Sequence, residues 1–177
     1  FTGDDRYFGG HGNDLITDDD GNDFLLGEGG LDDISGGAGN DSLSGGIRDD
    51  VLRGGEGNDQ LVGSDHNDRL DGGPGEDVLD GSSGDDFLAG QEDDDDLIGG
   101  PGQDRLYGQG GFDYLRGGDD ADTISGGSER DEIEGNTGPD IIDGGPGNDD
   151  ILGGDGNDQI NGGSGNDEIH GEADSDI

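Results

Sequence analysis

An aspartate recurs every ninth residue along the whole chain. The series runs Asp5, Asp14, Asp23, Asp32, Asp41, Asp50, Asp59, Asp68, Asp77, Asp86, Asp95, Asp104, Asp113, Asp122, Asp131, Asp140, Asp149, Asp158, Asp167 and Asp176. Carboxylates at one fixed interval are oxygen donors in register, which is chemistry for a hard multivalent cation. General acid–base catalysis instead needs carboxyl groups with perturbed pKa values gathered in a cleft, and twenty equivalent acids single out none. With Gly36–Ser44 (GGAGNDSLS) as positions one to nine, the frame extends both ways without insertion or deletion. Position six is Asp in all twenty repeats it reaches, and position eight is Leu or Ile in eighteen of nineteen, Tyr7 being the exception. Position one is Gly in eighteen of nineteen, broken by Asp18; position four is Gly in fourteen of twenty and position two in eleven.

Bulk composition narrows the chemistry further. The 177 residues carry 48 acidic side chains against seven basic ones, all arginine, for a formal charge of −41. Such a surface excludes nucleic acid, whose binding rests on cations meeting phosphates, and it excludes an anionic membrane face. Cysteine is absent, so no disulfide can staple a small core. No apolar run is long enough to span a bilayer and no signal peptide is recognisable, so an export address is expected outside this stretch or in an unconventional form. His11, His66 and His170 fall at positions three, four and nine without metalloprotease spacing, and no nucleophile elbow accompanies the many serines. The chain is therefore not expected to be an enzyme.

The elements that position the aspartates follow from the remaining columns. Low hydrophobicity, high charge and 45 glycines would by themselves describe a disordered chain. Columns locked in phase cannot come from composition, and they argue for order. One apolar residue in nine cannot make a helix face. It suits a three-residue strand over positions seven to nine, with the middle side chain inward and its neighbours outward. Gly at positions one, two and four marks a six-residue turn with positive φ or close backbone approach. Strands going up one wall and down the other make a coil of two repeats, or 18 residues. Twenty repeats then give ten coils, stacked as parallel strands over about 48 Å. The apolar core is one side chain thick, while ordering a glycine-rich chain is costly and stacked carboxylates repel. A cationic, oxygen-seeking partner must supply the difference.

Calcium fits that description, taking six to eight carboxylate and carbonyl oxygens in flexible geometry. Repeats two apart share an edge, so Asp41 and Asp59, for example, are expected to face one ion between adjacent turns. Ten turns on each of two edges leave up to about eighteen internal gaps, and that many divalent ions would bring −41 to about −5. Magnesium fits less well because it demands rigid octahedra and keeps its waters, and zinc is disfavoured without Cys.

The nonapeptide GGxGxDxUx resembles the calcium-binding repeat of RTX (hemolysin-type) proteins. Complete GGxGxD turns occur at 9–14, 36–41, 54–59, 72–77, 99–104, 144–149, 153–158 and 162–167, and the resemblance spans residues 1–177 as one array. It implies an all-β fold, a right-handed parallel β-helix (β-roll) solenoid with two repeats per coil and about ten coils. It also implies bacterial secretion in an unfolded state through a one-step channel, with folding on meeting extracellular calcium. Position-six Asp side chains would bridge ions between turns, helped by backbone carbonyls of the first four turn positions, as at Gly36, Gly37, Ala38 and Gly39. The glycines so placed are Gly9, Gly10 and Gly12; Gly36, Gly37 and Gly39; Gly54, Gly55 and Gly57; and Gly72, Gly73 and Gly75. Later in the chain they are Gly99, Gly100 and Gly102; Gly144, Gly145 and Gly147; Gly153, Gly154 and Gly156; and Gly162, Gly163 and Gly165. Six turns depart at position four, which is Arg48, His66, Asp93, Asp120, Glu129 or Asp174. The turns of Arg48 and Glu129 are expected to be strained or weaker in calcium. The acidic run Asp18–Asp20 and the turn Gly90–Asp95, continuing into Asp96, read as solvated faces rather than extra metal sites.

Outward positions carry some apolar residues. Eight of them, Phe8, Phe24, Leu26, Val62, Val78, Ile98, Tyr114 and Leu152, fall on one wall and could pack a partner or another copy. No capping segment flanks the frame, although solenoids usually have one. Two readings follow: a secreted calcium-binding folding and structural module, or a self-assembling protein forming a calcium-cemented extracellular filament or surface layer.

Overall fold

The computed structural model describes residues 2–173 and 176, and these form an all-β parallel solenoid. Nineteen strands follow one another: β1 (Arg6–His11), β2 (Leu15–Thr17), β3 (Phe24–Gly29), β4 (Asp33–Ala38), β5 (Ser42–Ile47), β6 (Val51–Glu56) and β7 (Gln60–Asp65). Then come β8 (Arg69–Pro74), β9 (Val78–Ser83), β10 (Phe87–Glu92), β11 (Asp96–Pro101), β12 (Arg105–Gly110) and β13 (Tyr114–Asp119). The series closes with β14 (Thr123–Ser128), β15 (Glu132–Thr137), β16 (Ile141–Asp143), β17 (Asp150–Asp155), β18 (Gln159–Asn161) and β19 (Glu168–Ala173). Odd-numbered strands make a ten-stranded parallel sheet and even-numbered strands a nine-stranded one, each in sequence order. Every pairing joins residues eighteen apart, as in Leu70↔Leu88↔Leu106. Two nonapeptides per coil is therefore the observed register.

Most strands are six residues long rather than the three expected. They continue past the corner because pairing lapses at position one and resumes at positions two and three, as in Gly37↔Gly55 and Ala38↔Glu56. Turn backbone that periodicity alone assigns to loops thus joins the ladder, which satisfies its N–H and C=O groups without extra side chains. β2, β16 and β18 keep the shorter form.

Position-eight residues of both walls meet in one core. From Ile16 to Ile151 each is at most 3% exposed, and Ile160 packs against them partly buried. Tyr7 and Ile169, in the outermost described strands, remain about half exposed (49% and 45%). Among the described residues, no helix is long and apolar enough to cross a membrane.

The eight outward apolar residues do share the ten-stranded wall. Phe8 and Val78 are exposed and the other six half-buried. They do not form an unbroken stripe, because the register inserts Ser42, Gln60 and Asp96 into one column and Ser44, Asp80 and Arg116 into the other. Their densest point is Phe8 against Phe24, edge to face at 6.3 Å, with the Arg6 guanidinium 5.6 Å from the Phe24 ring.

Candidate metal centre

Each position-six aspartate begins as a local consequence of the turn. The chain leaves position one at a corner and crosses positions two and four with left-handed backbone in nearly every described turn, Asp19, Gly147 and Gly156 excepted. Twelve described non-glycine residues have positive φ, and all sit at position two or four: Glu28, Ser64, Ser82, Gln91, Gln109, Asn136 and Glu172, and Arg48, His66, Asp93, Asp120 and Glu129. Arg48 and Glu129, at φ 91° and 83°, hold the strain expected of them. Asp174 lies outside the described residues.

The turns then stack through side chains. From Asp5 to Asp158, the backbone N–H of each position-six Asp donates to Oδ1 of the Asp one coil further on, as from Asp59 to Asp77 at 2.7 Å and from Asp95 to Asp113 at 2.9 Å. An outer ladder runs the other way at position five, where the Asn40 N–H donates to Asn22 Oδ1 at 2.8 Å and Asn58 to Asn40 at 3.1 Å. The sequence reading gave position five no role. Its recurring Asn and Asp, side chains that readily bond neighbouring backbone, were the available signal.

The second carboxylate oxygen is left over. Among the described residues, Oδ2 of seventeen position-six aspartates, from Asp14 to Asp158, is buried without a hydrogen-bond partner. Sixteen of these side chains, from Asp23 to Asp158, are buried outright, whereas Asp14 and Asp167 are half-buried and Asp5 and Asp176 exposed. From Asp41 to Asp149, burial pushes the carboxyls up. The N–H bond from the preceding coil opposes this and neighbouring Asp charges reinforce it, so that Asp68, Asp95 and Asp122 reach about 8. Asp77, Asp104 and Asp131 reach about 7. Asp50, Asp59, Asp86, Asp113 and Asp140 reach about 6, and Asp41 and Asp149 are raised for the same first cause.

Glycine at position one is a matter of space. A Cβ on Gly81 would lie 2.5 Å from Asp86 Oδ2 and 2.9 Å from the Gly99 carbonyl oxygen; on Gly144 it would lie 2.6 Å from Asp149 Oδ2 and 2.8 Å from the Gly162 carbonyl oxygen. An unpartnered carboxylate oxygen of one turn and a backbone carbonyl of the next coil therefore face the same small space. That donor set is all oxygen and repeats between coils, which is what a hard cation such as calcium takes.

One expectation needs correcting. Asp18, read from sequence as part of a solvated run, is buried (9% exposed) and sits with Asp5 and Asp23. The signal was present in the sequence, since Asp18 is the only break in the position-one glycine column. In the second run Glu92, Asp93 and Asp94 are exposed as expected, whereas Asp95 is buried and Asp96 is half-buried with its Oδ1 buried and without a hydrogen-bond partner. The three histidines lie on separate segments, and His170 Nε2 is 3.2 Å from Glu168 Oε1 on the surface.

Comparison with known proteins agrees with this geometry. A family model described as the RTX calcium-binding nonapeptide repeat (4 copies) matches residues 1–34, 8–43, 26–61, 44–79, 71–106, 98–133, 125–160 and 152–177. No curated protein matches the chain.

Proposed function

Since the chain belongs to the RTX calcium-binding nonapeptide repeat family along its whole length, and is thereby a calcium-binding structural module, we propose that calcium completes its fold as well as occupying it. In this reading residues 1–177 act as a single array. The position-six aspartates, from Asp5 to Asp176, hold ions between successive coils, with position-one to position-four carbonyls such as those of Gly36, Gly37 and Gly39 completing each shell. Up to about eighteen gaps are available, and calcium occupies several oxygens in each. The protein is non-catalytic and exported, remaining unfolded until it meets calcium outside the cell.

One observation carries this reading: seventeen buried Oδ2 atoms without a partner. Each unpaired buried polar atom costs free energy, and a buried unpaired charge costs more. An array of them is stable only with a ligand that recurs at the same interval. Far-UV circular dichroism and hydrodynamic radius, followed during calcium titration of chelated protein near pH 7.5, test it. The expected result is an expanded chain without β structure in chelator, and a steep transition to a compact β form. A β signal that persists in excess chelator would overturn the reading.

Self-assembly has one observation in its favour, the outward Phe8–Phe24 pair with Phe8 56% exposed. Sedimentation of the calcium-loaded protein over a range of concentrations tests it, and a constant monomer would remove it.

A further inference from the structure

Asp18 is the one residue that places a side chain where every other position-one residue is glycine. In the glycine turns, a Cβ there points at Oδ2 of the same turn's aspartate and at a carbonyl of the next coil. Asp18 therefore sends a carboxylate into a space that elsewhere stays open. The local backbone has adapted. Asp19 is the only described position-two residue outside the positive-φ region, and its N–H donates to Asp18 Oδ1 at 2.8 Å.

The carboxylate is not alone in that space. One oxygen from each of Asp5, Asp18 and Asp23 lies within 4.8 Å of the other two. Asp23 is only 3% exposed; its Oδ1 accepts the Asp5 N–H at 2.8 Å, while its Oδ2 is buried without a partner. The two turns are also tied by backbone groups: the Gly3 N–H donates to the Asp20 carbonyl at 2.6 Å, and Phe24 N–H to the Asp5 carbonyl at 3.0 Å. The Asn22 N–H adds a bond to Asp4 Oδ1 at 3.0 Å. The cluster thus spans a gap whose backbone is already stacked.

We propose that Asp5, Asp18 and Asp23 form a three-carboxylate calcium site, bound more tightly than the two-carboxylate gaps along the rest of the array and filled before them. Calcium affinity rises with the charge count and rigidity of the ligand set, and this gap has one more carboxylate than the repeat supplies. The first ion then fixes two coils against each other, and the remaining coils add to a formed template, as stacked repeats do once one interface exists. This inference rests on the reading that the gaps hold calcium.

Calorimetric calcium titration of the full chain tests it, comparing wild type with Asp18→Asn and Asp18→Gly. Asn keeps the size and removes the charge, while Gly restores the residue found in the other turns and so protects the fold. Wild type should show one ion bound ahead of the cooperative bulk. In both variants that step should weaken by about tenfold or merge with the bulk, because one charged ligand has gone. Glu168→Gln, which removes one charge from the outer wall, should leave it in place. Luminescence lifetimes of the first equivalent of Tb³⁺ in H₂O and D₂O should report more bound water in Asp18→Asn than in wild type. An early step unchanged in Asp18→Asn, or no early step in wild type, overturns the three-carboxylate site while leaving calcium in the gaps. Absence of any calcium uptake by wild type would instead overturn the proposed function.

Discussion

Two columns run the length of the solenoid at the same eighteen-residue spacing, one of Leu and Ile at position eight and one of Asp at position six. From Ile16 to Ile151 the apolar side chains are closed off from water by their own neighbours above, below and across the roll. From Asp23 to Asp158 the aspartates are buried just as deeply, yet each leaves Oδ2 without a partner. Stacking identical apolar groups lowers free energy with every added coil. Stacking identical carboxylates raises it, through desolvation and mutual repulsion. The same geometry therefore completes one column and leaves the other with an unpaired oxygen on each buried turn, which is the ground for the proposal that calcium binding and folding are coupled.

Exchanging calcium for protons breaks this comparison most severely. Eleven position-six aspartates in the middle of the array, from Asp50 to Asp140, are raised in the folded state to between about 6 and about 8, against an ordinary value near 4. Across that window the folded chain binds more protons than the unfolded one, so stability without calcium falls as pH rises. The stabilisation is full below about pH 4 and gone above about pH 8. Chelated protein should accordingly regain β structure on acidification, whereas calcium-loaded protein should lose ions. Dichroism between pH 4 and 8, with and without chelator, checks both directions; equal profiles would contradict the assignment.

Damage to one column at a time separates them. Leu88→Ala, at a fully buried site, should cost about 3 kcal/mol in the calcium-loaded protein, read from denaturant midpoints, with the number of bound ions unchanged. Asp95→Asn keeps an Oδ1 acceptor for the Asp77 N–H but removes the charge shared with the neighbouring coils. It should lower the calcium stoichiometry by about two ions on one edge and leave the other edge intact. A full complement of calcium in this variant would argue against shared ligands. The smallest effect is expected at Glu129, whose φ of 83° is a glycine conformation. Glu129→Gly should stabilise by about 1 kcal/mol, seen as a higher thermal midpoint.

Much of this was legible because the repeat is strict. The all-β solenoid, the coil of two repeats, the inward position-eight column and the shared edge of Asp41 and Asp59 all follow from a period of nine and strand alternation. The strand length did not follow, because pairing of positions two and three depends on where the corner falls, and the glycine pattern gives only its general place. The left-handed backbone at Glu28, Gln91 and Gln109 was also hidden, since these residues carry no local preference for it. The stack imposes it from the coils on either side.

By itself, then, the sequence determined the period, the sidedness of each column and the need for a multivalent counter-charge, since these are properties of spacing and side-chain type. Which oxygen of each aspartate would be spent on the neighbouring coil, which would be left over, and that Asp18 turns inward beside Asp5 and Asp23 were decided only in three dimensions. Hydrogen bonds between residues eighteen apart form only once the coils are stacked, and their directions fix what remains for the ion.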